Sequence, residues 1–367
     1  MISNLPLKTQ DWLLRLYNHV WVSETIPNDW RLAELVPIYK NGKDKRHTKS
    51  YRPVALTSCI CKVMERMVNK RLSWMLEGTN ALPVTQSGFR KGRSTMDHLI
   101  QLEAELQYTF IEKQHGVGIF FDAESAFDRV WKYGVLLKLK DLGFRGSLPI
   151  FISQFLHERK FRVRVANISS NPCEQRNGLP QGCVLSTTLY ILSIIDVAKS
   201  LPRGVQAFQY VDDLAIFCRG VDVRDVISKL QDALGRISRR ARAIGMKFSS
   251  EKTKCVHFTR RRNPVDLPPL RLEDRDLPYV QSCRFLGLVF DRRLTWECHL
   301  RQLKERCNIK LNILKVLSGT KWGADRRTML RVYEAMVCSK MDYGSCIYAS
   351  ARTPVLCRLD SIHHAGD

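Results

Sequence analysis

Residues 207–217 read AFQYVDDLAIF. Two adjacent aspartates, Asp212 and Asp213, sit inside a run that is otherwise apolar and strand-like. Side chains alternate faces along a strand, so neighbouring acids cannot share one face of a flat strand. At a hairpin tip the constraint loosens, and Asp212 can face a site while Asp213 leans in from the turn. On these residues alone two readings stay open. A surface turn carries acids because water solvates them there, and a functional tip carries them to hold a cation.

A third acid bears on the choice. Asp122 stands at the exit of the apolar run VGIFFD (117–122), six residues before a further acid, Asp128. Neighbouring strands lie about 4.8 Å apart, so pairing the Asp122 strand with the Asp212 strand would converge two or three carboxylates. Such a cluster repels itself unless cations fill it. Mg²⁺, a hard ion that takes oxygen ligands from carboxylates and substrate phosphates, is the natural occupant. Two such ions about 4 Å apart clamp the attacking and leaving oxygens of a phosphoryl transfer.

Composition agrees. The 367 residues carry a formal net charge of +23, with basic residues spread from end to end. Self-repulsion on that scale points to a polyanionic partner, nucleic acid first, ahead of an acidic membrane surface or an acidic protein. The 44% hydrophobic and 26% charged content is that of a soluble globular protein. No apolar run approaches a membrane span, and the first residues lack a secretory signal. None of the twelve cysteines forms a CxxC pair, which reads as reduced thiols in an intracellular protein. Cys357 with His363 and His364 makes at most half of a metal knuckle.

Periodicity gives the outline. An amphipathic helix opens the chain, with Trp12, Leu13, Leu16 and Val20 on one stripe. LAELVPIYK is a strand running into an Asn41-Gly42 turn, and SCICKVMERMVNKRL is helical. GVGIFFDAESAFDRVW begins as a strand and passes into a helix near Ser125. KFRVRV is a strand with one cationic face. NGLPQGCVLSTTLYILSIID is a loop followed by a long apolar helix. RDVISKLQDALGRISRRARAIGM is an amphipathic helix with Gly245 as its C-cap. Short strands follow, and beyond Trp296 the pattern is helical. Strands and helices alternate without regular βαβ spacing, so the class is α+β with an antiparallel sheet.

In order, the chain also contains YRPVALTSCICKVMERMVNKRL, QSGFRKGRSTMDHL, FFDAESAFDRVW, NGLPQGCVLS, YVDDLAIF, MKFSSEKTK and FLGLVFDRRLTW. This succession resembles the motifs of reverse transcriptases, most closely those of non-LTR (LINE-type) retrotransposons, from about Leu32 to about Trp296. The resemblance implies a right-hand polymerase: fingers over 1–116, a palm over 117–300 carrying the aspartates, with a fingers segment at about 135–178, and a partial helical thumb over 301–367. It implies RNA-directed DNA synthesis on an RNA template and a DNA primer, with dNTPs as substrates. Asp122, Asp212 and Asp213 match its metal-binding triad, for two Mg²⁺ ions with Mn²⁺ as a substitute. Lys252 matches a lysine near the leaving pyrophosphate, a general acid, with Lys254 as the alternative.

Phe127 matches the aromatic that excludes a 2′-hydroxyl, against the plain reading of a core phenylalanine. Gln181 matches a residue near the incoming nucleotide, and Arg52 and Lys40 match the residues that hold the triphosphate. Arg90, Lys91 and Arg93 resemble a template-strand contact, or a solvated basic loop. Phe285, Leu286 and Gly287 resemble the hairpin that grips the primer end. Departures from the family pattern are Ala123, Thr187 in place of a proline, Ser193 and Ile195. The chain has no recognisable endonuclease, ribonuclease H domain or zinc knuckle, so a truncated copy is expected, located in nucleus and cytoplasm. The rival reading is an inactive nucleic-acid-binding relic of the same fold.

Overall fold

The computed structural model describes residues 4–261, 265–319 and 322–363. In chain order the strands are β1 (Leu32–Tyr39), β2 (Tyr51–Leu56), β3 (His115–Phe121), β4 (Lys160–Val165), β5 (Ile168–Ser169), β6 (Cys173–Glu174), β7 (Val205–Tyr210), β8 (Asp213–Gly220) and β9 (Lys254–Phe258). Two short hairpins follow, β10 and β11 (Arg271–Leu272, Arg275–Asp276) and β12 and β13 (Ser282–Phe285, Leu288–Asp291). The helices are α1 (Leu7–Ser23), α2 (Asn28–Arg31), α3 (Cys59–Gly78), α4 (Thr95–Ile111), α5 (Lys132–Asp141), α6 (Ser147–Leu156), α7 (Val184–Ile194), α8 (Val223–Ala243), α9 (Glu297–Leu317) and α10 (Arg326–Tyr333), followed by short helical turns. The chain folds into two compact units. One holds Met1–Arg90, Ala123–Lys199 and Arg239–Lys247, and the other Lys91–Asp122, Ser200–Ser238 and Phe248–Asp367.

The first unit is built on a sheet ordered β2-β1-β4-β5, with β6 also on β4. β1 and β2 form an antiparallel hairpin, Leu35 opposite Ala55 and Ile38 opposite Arg52. β4 pairs with β1 in parallel. A parallel neighbour needs a long crossover, and nothing in a strand's own alternation reveals which neighbour it will meet. The cationic face of β4 is real and is folded onto Glu34, whose carboxylate meets Arg162 Nε at 3.0 Å and Arg164 Nη1 at 3.3 Å.

α3 buries Cys61, Met64, Val68, Leu72 and Leu76 at helical spacing. Its buried Glu65 accepts the backbone N–H of Leu185 at 3.1 Å, so one helix caps the start of another. α1 buries Tyr17 and Val20, whereas Trp12 is 72% exposed; the stripe that meets protein is rotated from the one expected. No helix begins at Ser125. That residue takes a positive φ of 50°, which a right-handed helix forbids, and the chain stays in turns until α5. Gly245 does end α8: its N–H bonds to Arg242 O at 3.1 Å and that of Met246 to Ala241 O at 2.9 Å, the paired bonds of a Schellman motif.

The second unit holds an antiparallel sheet ordered β7-β8-β3-β9. β3 is buried along its whole length, as a central strand covered on both faces must be. Its core gathers Phe120, Phe208, Phe217 and Phe258 from the sheet, Leu99, Leu102 and Leu106 from α4, and Leu300, Leu303, Leu311 and Leu314 from α9. Trp296 is fully buried, and its indole N–H donates to Ser350 Oγ at 2.9 Å.

All twelve cysteines are free. The side chain of His363 and the whole of His364 lie outside the described residues. Among those described, no helix is long and apolar enough to cross a membrane.

Candidate active site

β3 and β8 pair antiparallel from His115 opposite Gly220 to Phe121 opposite Leu214. One step further in that register, Asp122 comes opposite Asp213, the first residue of β8. β7 and β8 pair as far as Tyr210 and Asp213, which leaves Val211 and Asp212 as a two-residue turn. Such turns need left-handed backbone and usually place glycine there. Here Val211 supplies it, with a φ of 60°. A β-branched residue in that region costs on the order of 1–3 kcal/mol and persists only where its surroundings hold it; Val211 is buried. The hairpin expected from the sequence is therefore present with roles exchanged: Asp213 is the strand residue facing Asp122, and Asp212 rides on the turn.

β9 flanks β3 on the other side, paired up to Phe120 opposite Lys254. The same register continued puts Lys252 opposite Asp122, and the ammonium Nζ stands 3.6 Å from Asp122 Oδ1. Of the two lysines left open by the sequence, Lys252 is the one beside the carboxylates. Asp122 is fixed by its backbone as well. Its N–H donates to Thr253 Oγ1 at 3.3 Å, and its carbonyl accepts from Ser249 N–H at 2.8 Å. Thr253 and Ser249 are contributions that spacing alone did not reveal.

Burial first, then the charges of Asp212 and Asp122, push the Asp213 carboxyl up to about 6. Loss of solvation and neighbouring negative charge both disfavour the ionised form. The donor set is all oxygen with a net negative charge, so it fits a hard divalent cation in kind. Among the described residues no three His, Cys, Asp or Glu side chains are drawn together closely enough to grip a metal.

The residues expected near the nucleotide belong to the first unit. Phe127 stacks on Tyr190, ring centroids 4.5 Å apart and planes at 20°, and its carbonyl accepts from Leu179 N–H at 2.8 Å. Gln181 donates from Nε2 to Asp128 Oδ1 at 3.2 Å, and its own carbonyl accepts from Ala55 N–H at 2.7 Å. Gly182, at φ 131°, lies so near β2 that a Cβ would come 2.3 Å from Ala55 O. The glycine of the Pro-Gln-Gly turn thus serves the protein's own backbone.

Lys40 donates to Lys49 O at 3.3 Å. Arg52 is exposed, and strand alternation puts it on the face of β2 opposite to Pro53 and Ala55. Those two line a cavity of about 320 Å³ together with Asp128, Gln181 and Leu179. Gln181 therefore lies on the Pro53 and Ala55 side of β2, and Arg52 on the other.

Arg90 has a different occupation from the one expected. Its guanidinium grips Glu77 at 2.8 and 2.6 Å and donates to Pro83 O at 2.8 Å and Gln86 O at 2.9 Å. Four of five N–H groups are committed to the fold, and the side chain is 9% exposed. Lys91 and Arg93 are exposed. Phe285 and Leu286 are buried, Phe285 against Phe120 at 5.5 Å. Leu286 and Gly287, with φ 44° and 89°, make the β12–β13 turn, and Tyr343 Oη donates to Leu286 O at 2.7 Å. The side chains of this hairpin pack the core, and its backbone forms the tip.

An α+β fold with acids at the end of an antiparallel sheet is the arrangement of nucleic-acid polymerases, and solved structures bear on it. The structure of apo telomerase from Candida tropicalis, truncated from the C-terminal domain, superposes with a TM-score of 0.51 at 12% identity, covering 77% of this chain and 58% of that one. The telomerase of the same organism with a fragment of telomeric RNA also gives 0.51 at 12% identity, over 92% of this chain and 58% of that one. At such identity the likeness speaks for the fold alone, an α+β right-hand polymerase fold. The reverse transcriptase (RNA-dependent DNA polymerase) family matches over residues 38–290.

The chain belongs to that family. Among its relatives is the probable RNA-directed DNA polymerase from transposon BS of Drosophila melanogaster, 30% identical over 95% of this chain and 39% of that protein. Another is the RNA-directed DNA polymerase from mobile element jockey of the same species, 29% identical over 95% of this chain and 38% of that one. The resemblance to polymerases of non-LTR retrotransposons holds, and the chain spans about two fifths of the length of these relatives. Polymerases of the family depend on divalent metal, in keeping with the carboxylate cluster.

Two outcomes follow from the geometry. Asp213→Asn removes a group whose folded-state pKa is raised, so its ionised form opposes folding. That opposition is absent below about pH 3.8 and fully present above about pH 6. At pH 7.5 in chelator the variant is more stable than wild type by about 1 kcal/mol after solvent screening, and at pH 4 the gain vanishes; thermal melts at the two pH values check this. Arg90→Ala lowers stability by about 2–3 kcal/mol and leaves the salt dependence of RNA binding unchanged, whereas Lys91→Ala or Arg93→Ala each reduces the log–log salt slope by about 1, read by anisotropy across a salt series.

Proposed function

We propose that this chain carries out RNA-directed DNA synthesis, extending a DNA primer on an RNA template. The primer 3′-hydroxyl oxygen bonds to the α-phosphorus of a dNTP and pyrophosphate departs. The observation that carries this reading is the register of β3 with β8, which brings Asp122 opposite Asp213 beside the Asp212 turn, in a member of the reverse transcriptase family.

Asp122, Asp212 and Asp213 would hold two Mg²⁺ ions, with Mn²⁺ as a substitute. The bound ions supply charge neutralisation at the reacting phosphate. The protein's own residues do the rest. The carboxylates fix the site at the sheet's end, and in this reading Lys252, whose ammonium stands 3.6 Å from Asp122, gives a proton to the leaving pyrophosphate. Arg52 and Lys40 offer positive charge to the triphosphate. Phe127, braced face to face on Tyr190, leaves no partner for a 2′-hydroxyl. Gln181 meets the nucleotide, Lys91 and Arg93 the template phosphates, and the β12–β13 tip of Phe285, Leu286 and Gly287 the primer end through its backbone.

In this reading the four-stranded antiparallel sheet is the palm, which spans about 117–300, with β3 starting two residues earlier at His115. The first sheet, with 1–116 and the segment at about 135–178, supplies the fingers, and 301–367 form a partial thumb. Free thiols throughout support work inside the cell, in nucleus and cytoplasm.

The test is extension of oligo(dT) on poly(A) RNA with Mg²⁺ and dTTP, wild type beside Asp212→Asn. Wild type extends, and the variant loses at least about 100-fold in rate while still binding primer–template. A wild-type chain that binds primer–template without extending it is instead a binding relic.

A further inference from the structure

Asp128 follows the turn after Asp122 and has no part in the scheme above. Its surroundings in the first unit are unusually determined. The segment 178–181 closes onto the turn that carries it: Leu179 N–H donates to Phe127 O at 2.8 Å, and Gly178 N–H to Val130 O at 2.9 Å. Gly178, at φ 81°, comes so close that a Cβ there would stand 2.6 Å from Asp128 O. Only glycine permits that approach. Asp128 N–H is itself tied to Ser125 O at 3.0 Å. With both backbones locked, the Asp128 carboxylate meets the Gln181 amide, Nε2 to Oδ1 at 3.2 Å. Burial raises the Asp128 carboxyl while Gln181 and Lys40 draw it down.

A glutamine amide is nearly symmetric in shape and offers donors at one end and an acceptor at the other. Turning it over exchanges the two ends. An ionised carboxylate only accepts, so a carboxylate partner holds the nitrogen and leaves the carbonyl oxygen as the free end. We propose that Asp128 is a positioning residue for Gln181: it selects one orientation of the side-chain amide and presents its Oε1 as an acceptor to the nucleotide. This rests on the reading of Gln181 as a nucleotide contact. Asp128 touches no substrate in this scheme and acts through Gln181 alone.

Two expectations separate this role from a general structural or electrostatic one. Asn at 128 keeps the size but offers a donor beside its acceptor, so it holds the Gln181 amide either way round. Asp128→Asn therefore weakens nucleotide binding, about twofold where the two orientations are equally held, while Asp128→Ala, which holds the amide neither way, weakens it more. Because Asp128 acts only through Gln181, adding Asp128→Ala to Gln181→Ala costs nothing more.

The experiment is equilibrium binding of a fluorescent dTTP analogue to the full chain on primer–template. It is done in the Asp212→Asn background so that no turnover is needed, for Asp128→Ala, Asp128→Asn, Gln181→Ala and the double variant, with thermal melts alongside. The expected result is a Kd raised about five- to tenfold by Asp128→Ala and by Gln181→Ala, the same rise in the double variant, and a rise of about twofold in Asp128→Asn with unchanged melting.

Additive losses in the double variant overturn the proposal, and so does an Asp128→Asn variant that binds nucleotide as tightly as wild type. Primer extension by the chain with native Asp212 is read in parallel. If it fails while nucleotide binding shows the expected pattern, the polymerase reading falls and the positioning role stands. If no variant of the set, Asp212→Asn alone included, binds nucleotide, the positioning role falls too.

Discussion

Like charges held side by side set the terms for the second unit. Asp122, Asp213 and Asp212 are brought together by strand register, and register is one of the least negotiable features of a sheet, because a one-residue slip turns every side chain to the other face. β3 is buried on both faces, so slipping it would drive Val117, Ile119 and Phe121 into the packing that holds Gly118 and Phe120 and leave voids behind them. The apolar core thus overrides the burial and, after it, the like-charge repulsion that raise Asp213 to about 6. On the opposite flank the same register delivers Lys252 to Asp122. Acid on one side and ammonium on the other make Asp122 the hinge of the site's electrostatics.

The two units fix their polar groups by different means. In the second, the tight turn at Val211 is bought with backbone strain, a β-branched residue in left-handed geometry. That strain is sustained because Val211 is buried and the two strands pair up to the turn on both sides. In the first unit the close approach is made without strain, by glycines at 178 and 182 that let loop, turn and strand share backbone hydrogen bonds. Both solutions bring a polar side chain to a set place on rigid surroundings, which is what a site needs if binding is not to be spent on ordering it.

Much of this was legible in the sequence, and the limits have physical causes. The hairpin at Asp212-Asp213, the strand ending at Asp122 and the Schellman end of α8 were readable because apolar periodicity and punctuation by charge or glycine are local signals. Which strand β4 would join was not, since parallel pairing depends on a partner more than a hundred residues away. The helix expected at Ser125 failed because the pattern AESAFDRVW carries helical spacing, while contacts from the 178–181 segment hold a turn instead. Arg90 looked like its neighbours Lys91 and Arg93 in a basic loop; only tertiary structure shows that Glu77 and two carbonyls claim it. Asp128 was visible as an acid, but its partner lies 53 residues on.

Departures from a family pattern are often taken as decay, and α7 argues against that inference here. Thr187 stands where a proline is usual, yet its hydroxyl donates to Val184 O at 2.9 Å within the helix. Ser193, where an aromatic is common, donates to Tyr190 O at 2.6 Å. Each polar newcomer satisfies itself on the backbone of the preceding turn, a modest cost for a helix. α7 runs unbroken from Val184 to Ile194, and Tyr190 on it still supports Phe127. The helix that follows the Gln181 loop is therefore intact, and so are the carboxylates. Where polar substitutions such as Thr187 and Ser193 find a local partner and no reacting group is lost, drift in sequence is compatible with a working site.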